Sequence, residues 1–208
     1  TYVNQLVIGQ PLNILRVYKS TGINSQTGLY GFEDFNGDGI ISANEDRQVV
    51  KDLNPKYFGG ISNNFRYKNF TLDVLFQFTK QLGRSYLGTS GIVGGMTNQP
   101  QNVLGRWQEV GDQGPIQRFT SGQDPNGQMA YNFFRDSDAA IEDASYLRLR
   151  TLSFAYQIPL DKGFKCELFL QGQNLWTLTE FTGLDPETRS SSTLPPLRFI
   201  TMGTRLTF

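Results

Sequence analysis

The chain has 208 residues, and its 19 Lys and Arg balance its 19 Asp and Glu, so it lacks the basic footprint of a nucleic-acid-binding protein. It has no histidine, which excludes Ser-His-Asp and Cys-His catalysis, and its single cysteine, Cys166, excludes an internal disulfide. Abundant glycine and 13% aromatic residues are typical of a β-rich protein with many turns, and no apolar run approaches the ~18 residues of a transmembrane helix.

A weak strand is predicted at residues 13–22, and a long connection follows at residues 23–55. Residues 34–45 of this connection are D-F-N-G-D-G-I-I-S-A-N-E, which matches the calcium-loop pattern D-x-[DN]-x-[DN]-G-x5-E at every position. Ca²⁺ prefers oxygen ligands, and such a loop supplies them at alternate positions and at its final glutamate. The predicted calcium ligands are Asp34, Asn36, Asp38, Ile40 through its carbonyl, Ser42 and Glu45.

The flanks of this motif differ from those of an EF-hand. Residues 28–32 hold two glycines and no helical apolar period, and Pro55 would stop a helix soon after the motif. The sequence therefore predicts a calcium-stabilised extracellular loop, with Asp46 competing with Glu45 for the last ligand position. The alternative is a solvated Asn/Asp/Gly turn without metal.

Several later segments place apolar side chains at every second position, as strands with one apolar and one polar face do. In chain order the apolar members are Tyr57, Ile61, Phe65 and Tyr67; Phe70, Leu72, Val74, Phe76 and Phe78; Leu152, Phe154, Tyr156 and Ile158; Cys166, Leu168, Leu170 and Trp176; and Ile200, Met202, Leu206 and Phe208. Leu75 breaks the alternation of the second set, because it is an apolar residue on the otherwise polar face of that strand. Leu147 and Leu149 lie at odd positions, whereas the third set, from Leu152 to Ile158, lies at even positions. This change of alternation predicts a β-bulge near Thr151.

The connections between these segments alternate in length. A tight turn joins Tyr67 to Phe70, and a short turn is predicted at Asp161, Lys162 and Gly163. Long connections occupy residues 23–55, 83–145 and 179–196. Outer-membrane barrels have short periplasmic turns and long extracellular loops, so the pattern favours antiparallel strands of a large transmembrane β-barrel in an all-β fold.

Two soluble alternatives remain open on these features alone. A calcium-stabilised carbohydrate-binding β-sandwich also has alternating strands. A glycoside hydrolase would need a carboxylate pair, for which Asp124, Asp136, Asp138, Glu142 and Asp143 are the candidates, but a solvated loop is the far commoner explanation of such residues. We therefore expect a protein that is not an enzyme.

The sequence resembles the SusC/RagA family of TonB-linked outer-membrane proteins. The resemblance rests on residues 31–47 (GFEDFNGDGIISANEDR), 54–78 (NPKYFGGISNNFRYKNFTLDVLFQF), 144–159 (ASYLRLRTLSFAYQIP), 172–186 (GQNLWTLTEFTGLDP) and the tail ending in GTRLTF. Their order is that of the C-terminal part of the family's barrel. Phe208 matches the terminal aromatic residue that the barrel assembly machinery is thought to recognise in such proteins.

The resemblance implies a barrel of about 22 strands with a plugged lumen. It also implies TonB-powered import of oligosaccharides or peptides, with a SusD-like surface lipoprotein as a lid over extracellular loops, or alternatively a structural role in an outer-membrane assembly. Outer-membrane lipid would surround the strands, the C-terminus would be periplasmic, and residues 83–145, which include Trp107, would face the lid or the substrate. No substrate residue can be named.

The predicted strands number about six, too few to close such a barrel, and open strand edges are not viable in lipid. Residues 1–6 show no signal-peptide pattern. We therefore expect the chain to pair with the remainder of the same barrel, either as a fragment or as part of a split barrel.

Overall fold

The dominant element is a five-stranded antiparallel sheet, seen in a computed structural model that describes residues 6–160 and 163–208. Its strands are β5 (Tyr57–Tyr67), β6 (Phe70–Lys80), β9 (Tyr146–Ile158), β10 (Lys165–Thr179) and β11 (Phe199–Thr207). They lie side by side in the order β11-β10-β9-β6-β5, so β5 and β11 are the edges. Asp161 and Lys162 of the predicted short turn lie outside the described residues.

The register of the sheet places side chains of similar polarity in the same row across the strands. One row, the apolar row, crosses all five strands as Phe65, Leu72, Phe154, Leu170 and Met202. The neighbouring row, the polar row, crosses them as Asn64, Asp73, Ser153, Gln171 and Thr201. Because successive residues of a strand point to opposite faces, the two rows give the sheet an apolar face and a polar face.

The apolar face has no covering layer among the described residues. Phe65 is 58% exposed, Leu170 is 49% exposed and Met202 is 83% exposed, although they are large apolar side chains in the middle of long strands. A soluble sandwich would bury such a face against a second sheet. The five alternating segments therefore form antiparallel strands as predicted, and their apolar face is not packed as a sandwich among the described residues.

Two bulges interrupt the regular pairing at the same level. On β9, Thr151 pairs with Leu75 while Leu149 pairs with Phe76, which leaves Arg150 as the extra residue. On β10, Asn174 and Leu175 lie between the paired positions 173 and 176, and Asn174 has a φ of 53°. The first bulge confirms the one predicted near Thr151 and explains the change of parity there.

The long connections all leave the same end of the sheet and form a loop layer, defined as residues 6–56, 81–145 and 180–198. It holds three small two-stranded pairs, namely β1 (Ile14–Val17) with β4 (Val49–Asp52), β2 (Ser20–Ile23) with β3 (Tyr30–Phe32), and β7 (Leu82–Arg84) with β8 (Ile141–Asp143). The single strand predicted at residues 13–22 is therefore wrong: this segment forms parts of two short strands outside the main sheet.

The loop layer contains a packed apolar core that includes an α-helix not predicted from the sequence. Helix α1 (Pro125–Arg135) lies within residues 83–145, which the sequence suggested was a loop. Asp124 caps it by accepting a hydrogen bond from the backbone N–H of Asn126, and Pro125 occupies its first turn. The core residues are Tyr30, Ala130, Tyr131, Phe134 and Ala140.

No helix among residues 6–160 and 163–208 is long and apolar enough to cross a membrane.

Candidate functional site

A buried ion-pair network connects the polar face of the sheet to the loop at residues 180–198. Arg148, which is 2% exposed, forms an ion pair with Asp185, which is 3% exposed. It also donates to Glu187 at 2.7 Å and to Thr177 at 3.0 Å. A buried guanidinium needs such partners because burial of an unpaired charge is costly. The loop at residues 180–198 is thereby fixed against the polar face of the sheet.

The bulge residue Arg150 extends this network across three strands. Its guanidinium donates to Glu187 at 2.6 Å, to the Asn174 side-chain oxygen at 3.0 Å, and to Gln77 on β6. Asn174 in turn donates to the Leu197 carbonyl at 3.1 Å. The two bulges thus place Arg150 and Asn174 where they can contact each other and the loop at residues 180–198. Sequence reasoning predicted the bulge but missed the role of these residues.

The predicted calcium ligands lie together in one compact loop. The carboxylate of Asp34 accepts hydrogen bonds from the backbone N–H groups of Gly37 and Gly39, both at 2.7 Å. The Asn36 side-chain nitrogen donates to Asp38 at 3.0 Å and to Glu45 at 2.9 Å. Side chains from the beginning, middle and end of the motif therefore meet.

Two further ligand positions lie in the same loop. The Ser42 hydroxyl accepts a hydrogen bond from the Glu45 N–H at 3.3 Å, and Ile40 is 66% exposed. Among the described residues, however, no three Asp, Glu or Cys side chains form a preformed metal cluster. A cation would require the carboxylates to move closer together.

Asp46 has a different environment from Glu45. It is fully buried and accepts hydrogen bonds from the backbone N–H groups of Ser42 at 2.7 Å and Phe35 at 2.8 Å. The bond from Ser42 contributes most to holding the pKa of this carboxyl below its usual value. Asp46 thus ties the two ends of the loop together, and Glu45 is the residue directed toward the other predicted ligands.

The carboxylates considered for glycoside hydrolysis each have a separate partner. Asp124 binds Arg118 at 2.6 Å, and Asp138 binds Lys19 at 2.9 Å. The remaining partnerships are Asp136 with Arg47, Asp143 with Lys80, and Glu142 with Thr182. The Lys80 ammonium and the Ser145 hydroxyl lower the pKa of Asp143 to about 2. These contacts give each carboxylate a structural role in the loop layer.

Two aromatic residues of the sequence analysis have defined contacts. Trp107 donates from its indole nitrogen to the Ser25 carbonyl at 3.2 Å, and its ring lies over Gly28, where a Cβ would come within 2.5 Å. Trp107 therefore packs within the loop layer. Phe208 is 93% exposed and its ring contacts that of Phe164 with centroids 5.4 Å apart, and its recognition by the assembly machinery stays a prediction.

Comparison with known proteins identifies relatives of one kind. The chain is 30% identical over 207 residues to TonB-dependent receptor P3 of Formosa agariphila, a match that covers 89% of this chain and 19% of that protein. TonB-dependent receptor P26 of the same organism is 30% identical over 198 residues, with 85% and 19% covered. The chain thus spans about a fifth of the length of these curated relatives. No family model matches the sequence.

Solved structures share the fold. The RagAB peptide importer in its open-open state superposes with a TM-score of 0.71 at 22% identity, over 92% of this chain and 22% of that chain. The structure of the RagAB peptide transporter gives a TM-score of 0.70 at 21% identity, over 98% and 25%. At these identities the likeness concerns the fold, and it agrees with a sheet that continues into further strands.

Proposed function

Because this chain belongs to the TonB-dependent receptors of the SusC/RagA type, as a segment of their β-barrel, we propose that the protein carrying it imports a nutrient across the bacterial outer membrane. The import would be powered through TonB. The strands would lie in outer-membrane lipid, with the loop layer extracellular and the C-terminus periplasmic.

The observation that carries this proposal is the pair of adjacent rows in the sheet. The apolar row exposes Phe65, Phe154, Leu170 and Met202 in the middle of the strands, where lipid hydrocarbon is the matching solvent. The polar row, which includes Asp73 and Gln171, is the matching surface for an aqueous barrel interior. A soluble protein rarely leaves so continuous an apolar surface exposed.

The SusC/RagA resemblance supports a proposal for the cargo and the partners of the protein. We propose oligosaccharides or peptides as the cargo and a SusD-like surface lipoprotein as the partner that covers the loop layer. The remaining strands of the barrel would pair with the edges of the sheet, β5 and β11, whose outer backbone groups need partners in lipid. The barrel assembly machinery would recognise the last strand and Phe208.

We also propose that residues 34–45 bind Ca²⁺ through Asp34, Asn36, Asp38, Ile40, Ser42 and Glu45. Gly39, with a φ of 80°, provides the sharp turn that the pattern requires at its sixth position. On binding, the Asn36 amide would rotate to present its oxygen instead of the nitrogen that now bridges Asp38 and Glu45. The ion would then replace this amide bridge and rigidify the loop.

Uptake by the full-length receptor tests the proposed function. Cells lacking the receptor gene are supplied with the intact receptor or with one lacking its TonB-interacting segment, and uptake of labelled oligosaccharide and peptide mixtures is measured. We expect uptake only with the intact receptor. If all strains take up the mixtures equally, and the cells without the receptor gene show a changed assembly of outer-membrane proteins, a structural role would be favoured.

A further inference from the structure

The polar face of the sheet contains an open hollow of about 620 Å³ beside the two bulges. Strands β5, β6, β9 and β10 all contribute to it. Its lining side chains include Phe58, Leu75, Gln77, Arg150, Thr151 and Gln173. Gly60 has no side chain, which leaves the space between Phe58 and Leu75 open.

Phe58 is unusual on this face. It lies on the same side of β5 as Asn64 of the polar row, yet it is a large aromatic side chain. It is 76% exposed. Leu75, the exception to the alternation of β6, is 37% exposed in the same hollow. An exposed aromatic ring beside polar side chains in a concavity is the usual composition of a ligand site. In a barrel interior Phe58 and Leu75 do not contact lipid, so lipid does not account for their apolar character.

Some of the polar side chains around Phe58 already have hydrogen-bond partners, and others have none. Arg150, Gln77 and Asn174 are bound to one another and to the loop at residues 180–198. The side chains of Thr151 and Gln173, in contrast, form no hydrogen bond within the described part of the chain. They are free to donate to and accept from a ligand.

The charge of this region selects the kind of ligand. Arg148 and Arg150 are neutralised by Asp185 and Glu187, so the hollow offers no net charge to an ionic group. Away from the two bulges, the backbone groups of β6, β9 and β10 are used in pairing, and the outer groups of the edge strand β5 lie in the plane of the sheet, directed at the next barrel strand. The hollow therefore offers an aromatic face, a hydroxyl and an amide, and this set suits a neutral ring that carries hydroxyl groups better than a peptide backbone.

We propose that this hollow is a subsite for one neutral sugar residue of the cargo, with Phe58 stacking on the ring and Thr151 and Gln173 hydrogen bonding to its hydroxyls. The proposal rests on the proposed import function, since it requires the polar face to line the barrel interior. It extends that function by assigning residues to cargo binding and by choosing saccharide over peptide.

The test uses the purified full-length receptor and an array of linear oligosaccharides, neutral and acidic, together with peptides. The tightest binder is then titrated calorimetrically. We expect a neutral oligosaccharide, and we expect Phe58→Ala to weaken its binding about tenfold, as loss of one buried aromatic contact does. Phe58→Tyr should bind within about twofold of the natural protein because it keeps the ring.

Phe65→Ala is the matched control, since Phe65 lies on the same strand, is similarly exposed, and faces the opposite side. It should leave affinity unchanged. Should Phe58→Ala fail to assemble, Gln173→Ala serves instead, with an expected loss of about fivefold for one hydrogen bond. Unchanged affinity in these variants, binding of peptides or acidic sugars alone, or no binding to the array would overturn the subsite. Unchanged affinity in Phe58→Ala together with continued uptake by cells that carry it would leave the import function standing while the subsite falls.

Discussion

Arg148 and Asp185 form a buried ion pair that joins the barrel wall to the loop beside it, across 37 residues of sequence. Glu187 binds both Arg148 and Arg150, so the loop at residues 180–198 is attached to the wall at two adjacent points. Because both arginines project from the polar face, this loop narrows the space on that side of the sheet.

Replacement of Arg148 by Met should release this loop. The change leaves Asp185 buried without its cation, which costs about 3–5 kcal/mol for a buried pair. We expect protease cleavage and hydrogen exchange to rise at residues 180–198 of the full-length receptor. The double variant Arg148→Met/Asp185→Asn should recover part of the protection. The control Arg205→Met removes an exposed pair with Glu167, so its effect should stay below about 1 kcal/mol.

Calcium should protect residues 34–45 from proteolysis. We expect the protection to appear at about 0.1–1 mM Ca²⁺, the range of extracellular calcium modules, and to disappear with a chelator. The double variant Asp34→Ala/Asp38→Ala should show no such response, whereas Glu33→Gln, just outside the motif, should respond as the natural protein does. A calcium response that survives the double variant would place the ion elsewhere.

Acid should loosen the loop layer below about pH 4. Hydrogen bonds from Lys80 and Ser145 lower the pKa of Asp143 to about 2. Burial raises the pKa of Asp138, but bonds from Lys19 and the Ser20 N–H outweigh it and lower the pKa. A carboxylate with a lowered folded-state pKa stabilises the fold above its unfolded pKa of about 3.9 and loses that contribution as the pH falls through the folded value.

Hydrogen exchange of the loop layer, corrected for the intrinsic pH dependence of amide exchange, should therefore stay constant from pH 6 to about pH 4 and become faster between about pH 4 and pH 2. Asp143→Asn should remove part of this pH dependence. A transition centred near pH 6 would contradict the assignment to these carboxylates.

Arginine substitutions on the two faces should differ in cost. Leu170 belongs to the apolar row and Gln171 to the polar row, so the two lie next to each other at the same depth. Leu170→Arg should destabilise the assembled barrel by about 2–4 kcal/mol, the cost of a cation in mid-bilayer. Gln171→Arg should assemble normally. The folded fraction in outer-membrane preparations measures both, and equal assembly of the two variants would argue against a lipid-facing apolar row.

The sheet could be predicted because its information is local. Alternation in residues 70–78 specifies the two faces, and the change of parity between Leu149 and Leu152 specifies the bulge. Helix α1 also had a local signal, since Asp124-Pro125 is an N-terminal pattern and Ala130, Tyr131 and Phe134 fit a helical period.

The contacts of the loops could not be predicted. The partners in the network of Arg148, Arg150, Asp185 and Glu187 come from separate strands and a loop, and no periodic pattern specifies which charges meet. The split of residues 13–22 into β1 and β2 is likewise decided by distant partners, β4 and β3. The ligand positions of residues 34–45 were visible as a motif, while the structural role of Asp46 depends on its burial.

Collision of a spin label with oxygen and with a water-soluble nickel complex tests most directly whether the apolar row contacts lipid. The label is attached in turn to Leu170→Cys and Gln171→Cys, in a full-length receptor reconstituted in bilayers with Cys166→Ser and no other reactive cysteine. We expect oxygen collisions to dominate at position 170 and nickel collisions to dominate at position 171. The same ratio at both positions, or the reverse order, would contradict the barrel wall described for this chain.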